Sequence, residues 1–155
     1  MAKKDPTPPR RILNRKARFE FHILETIEAG IALTGSEVKS LRDGQASLDE
    51  AYARIVNEQA VLLGATIQPY PAATTVRHDP KRPRKLLLHK REIRRLYAKV
   101  TQAGHTLVPL SIYFNDRGIA KVELALVRGK TYRDKRESMR EREHRREMDR
   151  AMRRK

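Results

Sequence analysis

TLVPLSIYFNDRGIAKVELALVR, residues 106–128, decides the fold. Residues 106–114 and 119–128 are rich in β-branched and aromatic side chains, and apolar and polar positions alternate along much of their length. Asn115-Asp116-Arg117-Gly118 between them is a hairpin turn sequence. Two long antiparallel strands are predicted, and Gly129 ends the domain they belong to.

Working outward, the same pattern recurs in shorter form. Residues 18–27 alternate, with Phe19, Phe21 and Ile23 on one side and Glu20 and His22 on the other. Glu28-Ala29-Gly30 reads as a turn and residues 31–33 as a return strand. Ser36 is placed to cap a short helix over 37–42, which Asp43-Gly44 stops. Residues 48–55 and 60–67 read as strands around a turn at Asn57-Glu58. Pro69, Pro71, Pro80 and Pro83 keep 68–84 irregular. Residues 86–100 form the strongest helix pattern, with Leu88, Ile93, Leu96, Tyr97 and Val100 near one face. The fold class expected is mainly β with flanking helices: a small antiparallel OB-like β-barrel plus a basic C-terminal tail.

Charge divides the chain. The formal net charge is +16, from 35 Lys+Arg against 19 Asp+Glu. Residues 1–18 carry +6, residues 130–155 carry +6, and the long middle only +4. Three parts are expected: a flexible basic arm over 1–13, the OB-like barrel over 14–129, and a basic tail over 130–155. Within the middle, residues 77–95 hold nine basic side chains against Asp79 and Glu92. Such an excess calls for a polyanionic partner. The tail has good helix formers, charge pairs such as Glu141–Arg145, Asp149–Arg153, Glu143–Arg146 and Glu147–Arg150, and no continuous apolar stripe. It is expected to be disordered alone and helical on an RNA surface.

Catalytic chemistry finds no support. There is no cysteine, no P-loop, no GxGxxG, and His22, His78, His89, His105 and His144 are scattered. No enzyme activity, cofactor or metal site is expected. No apolar run is long enough to span a membrane, and residues 1–11 do not form a secretory signal. A cytoplasmic monomer is expected.

Five stretches then stand in register: Asn14-Arg15-Lys16-Ala17-Arg18; Glu28-Ala29-Gly30-Ile31; Gly35-Ser36-Glu37-Val38-Lys39-Ser40-Leu41-Arg42; Arg84-Lys85-Leu86-Leu87-Leu88; and Gly129-Lys130 followed by Asp134-Lys135-Arg136-Glu137. In this order and spacing they resemble the SsrA-binding protein family, also called small protein B, of bacterial trans-translation. The resemblance implies an OB-like barrel that binds the tRNA-like part of transfer-messenger RNA. It implies delivery of that RNA, with elongation factor Tu acting through the RNA, to stalled ribosomes. There the tail would occupy the empty message channel against small-subunit ribosomal RNA. By matching position, the RNA-facing residues would be Asn14, Arg15, Lys16, Arg18, Glu28, Lys39, Leu87 and Lys121. The decoding-centre segment would be Arg133, Asp134, Lys135 and Arg136, with Arg133 standing where the family often carries His or an aromatic residue. The competing expectation is a general structural or ribosome-associated RNA-binding protein. Aromatic residues are only 5% of the chain, which speaks against a base-stacking sheet.

Overall fold

The computed structural model describes residues 11–70, 78–102 and 104–153, apart from the side chain of Tyr132. Most of the arm expected over 1–13, stretch 71–77 of the irregular segment and the last two residues of the tail lie outside the described residues. In chain order the elements are β1 (Ile12–Leu13), α1 (Arg15–Glu20), β2 (Phe21–Ile31), α2 (Gly35–Arg42), β3 (Ala46–Ser47), β4 (Tyr52–Val56), β5 (Gln59–Leu63), β6 (Thr66–Ile67), β7 (Arg84–Leu87), α3 (Lys90–Val100), β8 (His105–Phe114), β9 (Ala120–Gly129) and α4 (Tyr132–Arg153).

The expected hairpin is β8–β9. Its turn is held by Asn115, whose Oδ1 accepts from the amides of Arg117 at 3.1 Å and Ile119 at 2.9 Å. Gly118 takes the left-handed φ of 74° that closes the turn. From this hairpin the sheet runs β8-β4-β5-β7-β2-β9 and returns to β8, so the antiparallel strands close into a ring. Closure between β4 and β8 rests on the pairing of Ala53 with Leu107. Short β1 pairs with the other end of β8, and β3 and β6 form a separate small ladder.

The hairpin is buried on two sides. Leu107, Ile112, Val122, Leu124 and Leu126 point into the ring with Leu62, Leu86 and Leu96. Val108, Leu110, Ala125 and Val127 point the other way, under Ala17 of α1, with Phe21 and Ile23 against them. This explains why the lower halves of β8 and β9 lose strict alternation: neither face meets water. Pro109, inside β8, lacks an amide for the ladder, and the β8–β9 register shifts between Pro109 and Ser111. The carbonyls at that irregularity serve the N-terminal segment. Leu110 O accepts from the Asn14 amide at 2.8 Å, and Pro109 O accepts from Asn14 Nδ2 at 2.9 Å.

Several local expectations need correction. Phe19 is not in a strand. Asn14 Oδ1 accepts from Ala17 N and starts helix α1 at Arg15, so the strand begins at Phe21. Glu28-Ala29-Gly30 is not a turn either: β2 runs straight through it to Ile31. Gly30 pairs with Leu87 on one side and Lys121 on the other, and a Cβ there would sit 3.0 Å from Leu87 Cβ. The glycine serves close strand approach, not reversal. Helix α2 is capped by Thr34 rather than Ser36, in a reciprocal capping box with Glu37. Residues 84–87 form strand β7 between β5 and β2, and helix α3 starts only at Lys90. The turn at Asn57 and Glu58 is as expected, with φ of 50° and 58° at the two residues.

The third and fourth motifs meet in the interior. Glu37, on α2, and Arg84, on β7, are both fully buried and form an ion pair through Arg84 Nε and Glu37 Oε2. Arg82 Nη2 reaches the other carboxylate oxygen, while Arg84 also donates to Ala65 O at 3.0 Å and Pro80 O at 3.1 Å. Burial alone would push the Glu37 carboxyl up. The hydrogen bonds from Arg82, Arg84 and Thr34 outweigh it and hold the group at about 2.

Candidate nucleic-acid interface

Three adjacent strands put the central residues of the site side by side. Cross-strand partners share a face of a sheet. Leu87 on β7, Gly30 on β2 and Lys121 on β9 are such partners in a row, and Glu28 lies two residues before Gly30 on the same face. Leu86, one residue away, is buried, whereas Leu87 is 53% exposed. The missing side chain at Gly30 leaves a notch between a hydrophobic surface and an ammonium. Glu28, Lys121, Leu87, Lys85, Lys90 and Gln59 line the resulting groove, of about 590 Å³.

Glu28 is held from behind. Its Oε2 accepts from the Tyr113 hydroxyl. That phenol is pushed up to about 12, first by burial and then by the neighbouring Glu28 carboxylate, so it stays a donor near neutral pH. Directly across from Glu28 on β9 stands Glu123. Like charges facing each other would repel, but Arg11 Nη2 pairs with Glu123 at 2.9 Å and Ser111 Oγ donates to it at 3.2 Å. The Arg11 guanidinium also lies 4.7 Å from the Tyr113 ring centroid. The carboxylate is thus fixed at one oxygen on a rim that carries Lys85, Lys90 and Lys121 together with Glu92, an arrangement suited to reading a base or sugar donor rather than a phosphate.

The other positions expected to face RNA are distributed. Asn14 is 5% exposed and engaged by both β8 and α1. It starts α1, on which Arg15, Lys16 and Arg18 are all exposed. Lys39 is exposed on α2, with its ammonium 5.4 Å from the Tyr70 ring centroid, and does not line the Gly30 groove. Arg11, Tyr113 and Glu123 were not expected. Each is remote in sequence from Glu28, so no local pattern announces the network.

The tail segment is rooted in a second network. Helix α4 spans 22 residues in the single chain. Asp134 Oδ2 accepts from the amide of Thr131 at 3.2 Å and its hydroxyl at 2.9 Å, and it lies 3.1 Å from His22 Nε2 on β2. The Thr131 hydroxyl in turn accepts from Asp134 N at 3.3 Å. The sequence signal for this was present, since Thr-x-x-Asp is a capping-box variant. The bond to His22, then those from Thr131, draw the Asp134 carboxyl down to about 2. Lys130 Nζ donates to Arg18 O at 3.1 Å and Ser138 Oγ at 2.8 Å, tying the same root to α1. Arg133 is 90% exposed in its side chain, with Glu137 3.7 Å away. Lys135 and Arg136 lie on the same first turns. Among the described residues, none of the four charge pairs expected farther along the tail closes to ion-pair distance; Arg133–Glu137 does.

A ring of strands with lysines around one groove, a fixed carboxylate and an exposed basic helix is a surface suited to a polyanion. The model of the family described as SmpB protein matches residues 11–154, and the chain belongs to that family. An SsrA-binding protein of Moorella thermoacetica is 54% identical over 140 residues, covering 90% of this chain and 90% of its own length. One from Methylobacterium nodulans is 52% identical over 155 residues, covering 99% and 98%. Among solved structures, a chain from work described as "tmRNA-SmpB: a journey to the center of the bacterial ribosome" is 51% identical. It superposes with a TM-score of 0.68 over 84% of this chain and 94% of that one. The family is one of RNA-binding proteins rather than enzymes.

Proposed function

We propose that this chain binds the tRNA-like domain of transfer-messenger RNA through the Gly30 groove and the exposed cations of α1, and brings it to stalled ribosomes for trans-translation. The observation that carries this reading is the convergence of Glu28, Leu87 and Lys121, three residues far apart in sequence, around one notch. Lysines there neutralise phosphates, Leu87 offers an apolar seat for an unstacked base, and Glu28 accepts from a base or a 2′-hydroxyl. The relatives' shared description as SsrA-binding proteins, and the solved relative's description, support the choice of RNA and the ribosome as partners. Elongation factor Tu takes part through the RNA. The protein works as a monomer in the cytoplasm.

In this reading α4 enters the empty message channel and presents Arg133, Asp134, Lys135 and Arg136 to the decoding centre. The helix that α4 already forms in the single chain is the conformation it brings there in this reading.

Glu28→Ala tests the groove. Binding to the tRNA-like domain at fixed, physiological salt is expected to weaken roughly 10- to 100-fold, the range for losing a buried or charge-assisted hydrogen bond. Lys81→Ala, far from the groove, serves as the reference and is expected to change it by less than about threefold. A dissociation constant for Glu28→Ala no worse than that of Lys81→Ala rejects the groove as the binding site.

A further inference from the structure

Of the basic cluster in the middle of the chain only Lys85 and Lys90 line the groove just described, and α3 carries much of the rest. Arg95 and Lys99 are occupied: both pair with Glu25 on β2. Among the described residues Lys90, Arg91 and Arg94 have no carboxylate partner, and all three are exposed. Lys90 and Arg94 stand at i, i+4 on one helix face, where like charges repel. That placement destabilises the helix unless an anion lies across it.

Beside this cationic ridge is a second groove, of about 500 Å³, between α3 and the β4–β5 turn. Its walls are apolar: Ile55, Val56, Ile93 and Tyr97, with Arg94 at the edge and Asn57 and Glu58 at the turn. Tyr97 is 53% exposed and Val56 50%, so large apolar surface is left in water here. Ile93 lines both this groove and the Gly30 groove, and Lys90 lines the latter. The two depressions therefore meet at Ile93 on α3, the helix that also carries the unpaired cations.

We infer that the RNA-binding surface extends over α3 into this second groove, where an unpaired nucleotide stacks its base on Tyr97 and lays its phosphates on Lys90, Arg91 and Arg94. An aromatic face beside unpaired cations is the arrangement by which proteins hold single-stranded nucleic acid. The apolar walls suit the flat faces of a base. Asn57 and Glu58 supply an amide and a carboxylate at the base edge, the carboxylate accepting from an exocyclic amine. This inference rests on the RNA-binding reading above but names a separate contact.

The test uses the full chain and two synthetic strands of equal charge, octaadenylate and an abasic octamer. Wild type is expected to prefer octaadenylate by about tenfold, within the range of one stacked base. Tyr97→Ala should abolish that preference, and Tyr97→Phe, which keeps the ring, should restore it. Arg94→Gln should weaken both strands alike and lower the salt dependence by about one counterion. Tyr97 is half-exposed, so unchanged thermal unfolding of the variants is expected alongside. Equal binding of the two strands by wild type, or an undiminished preference in Tyr97→Ala, overturns the inference. Capture of an apolar peptide at the groove, with no preference for bases, overturns it in favour of a protein partner. Failure of the Glu28→Ala test with success of this one would move the RNA site to α3; the reverse would confine it to the Gly30 groove.

Discussion

Glu37 is a carboxylate without exposed surface, and its partner Arg84 is equally buried. Replacing a buried pair as a whole can be neutral, but removing one member strands the other charge. Glu37→Gln is therefore expected to cost about 3–5 kcal/mol, read from urea denaturation at neutral pH. The same residue gives a pH signature. Its carboxyl titrates at about 2 in the folded protein against an ordinary 4.5. The folded state thus binds fewer protons in that interval. The pair's contribution is fully present above about pH 4.5 and is lost as pH falls toward 2. Wild type should lose stability across that window, and Glu37→Gln should show a flatter dependence there. Glycine 30 shows what a residue's local context conceals. Next to Glu28-Ala29 it looks like a turn residue, but its reason is Leu87, a strand partner 57 positions away that no local pattern reveals.

At the scale of elements, α4 is fixed by its first turn. His22→Ala and Asp134→Ala should each quicken amide exchange in the first two turns of α4 while leaving β8 and β9 protected. Asp134→Ala should have the larger effect, since it also removes the cap on Thr131, and the double variant should match it. Equal protection in all variants would show that the contact does not hold the helix. The elements themselves were legible to different degrees. The β8–β9 hairpin was readable because its turn chemistry and apolar runs are local. Strand β7 was not: the run around Leu86-Leu87-Leu88 suits a helix as well as a strand, and its pairing with β5 and β2 decides the matter. Phe19 alternates correctly with Phe21 and Ile23, yet the Asn14 cap takes it into α1, and in the folded chain the Arg142 guanidinium lies 5.7 Å from its ring centroid.

For the whole molecule, body and tail carry separable tasks in the proposed function. Removing residues 132–155 should leave affinity for the tRNA-like RNA within about twofold of wild type and abolish rescue of stalled ribosomes; parallel loss of both would reject the division. The mainly β class and the ends of the charge distribution were visible in the sequence. Ring closure was not, because Ala53 and Leu107 meet through pairing of distant segments. Nor was the way Asn14 joins the N-terminal segment to the irregularity at Pro109. The root of α4 has one more implication. A helix of 22 residues is about 33 Å long. A swing of about 10° about its root at Thr131 and Asp134 would carry its far end about 6 Å. A small rearrangement around His22 would thereby be magnified into a displacement as large as a helical turn at the tip.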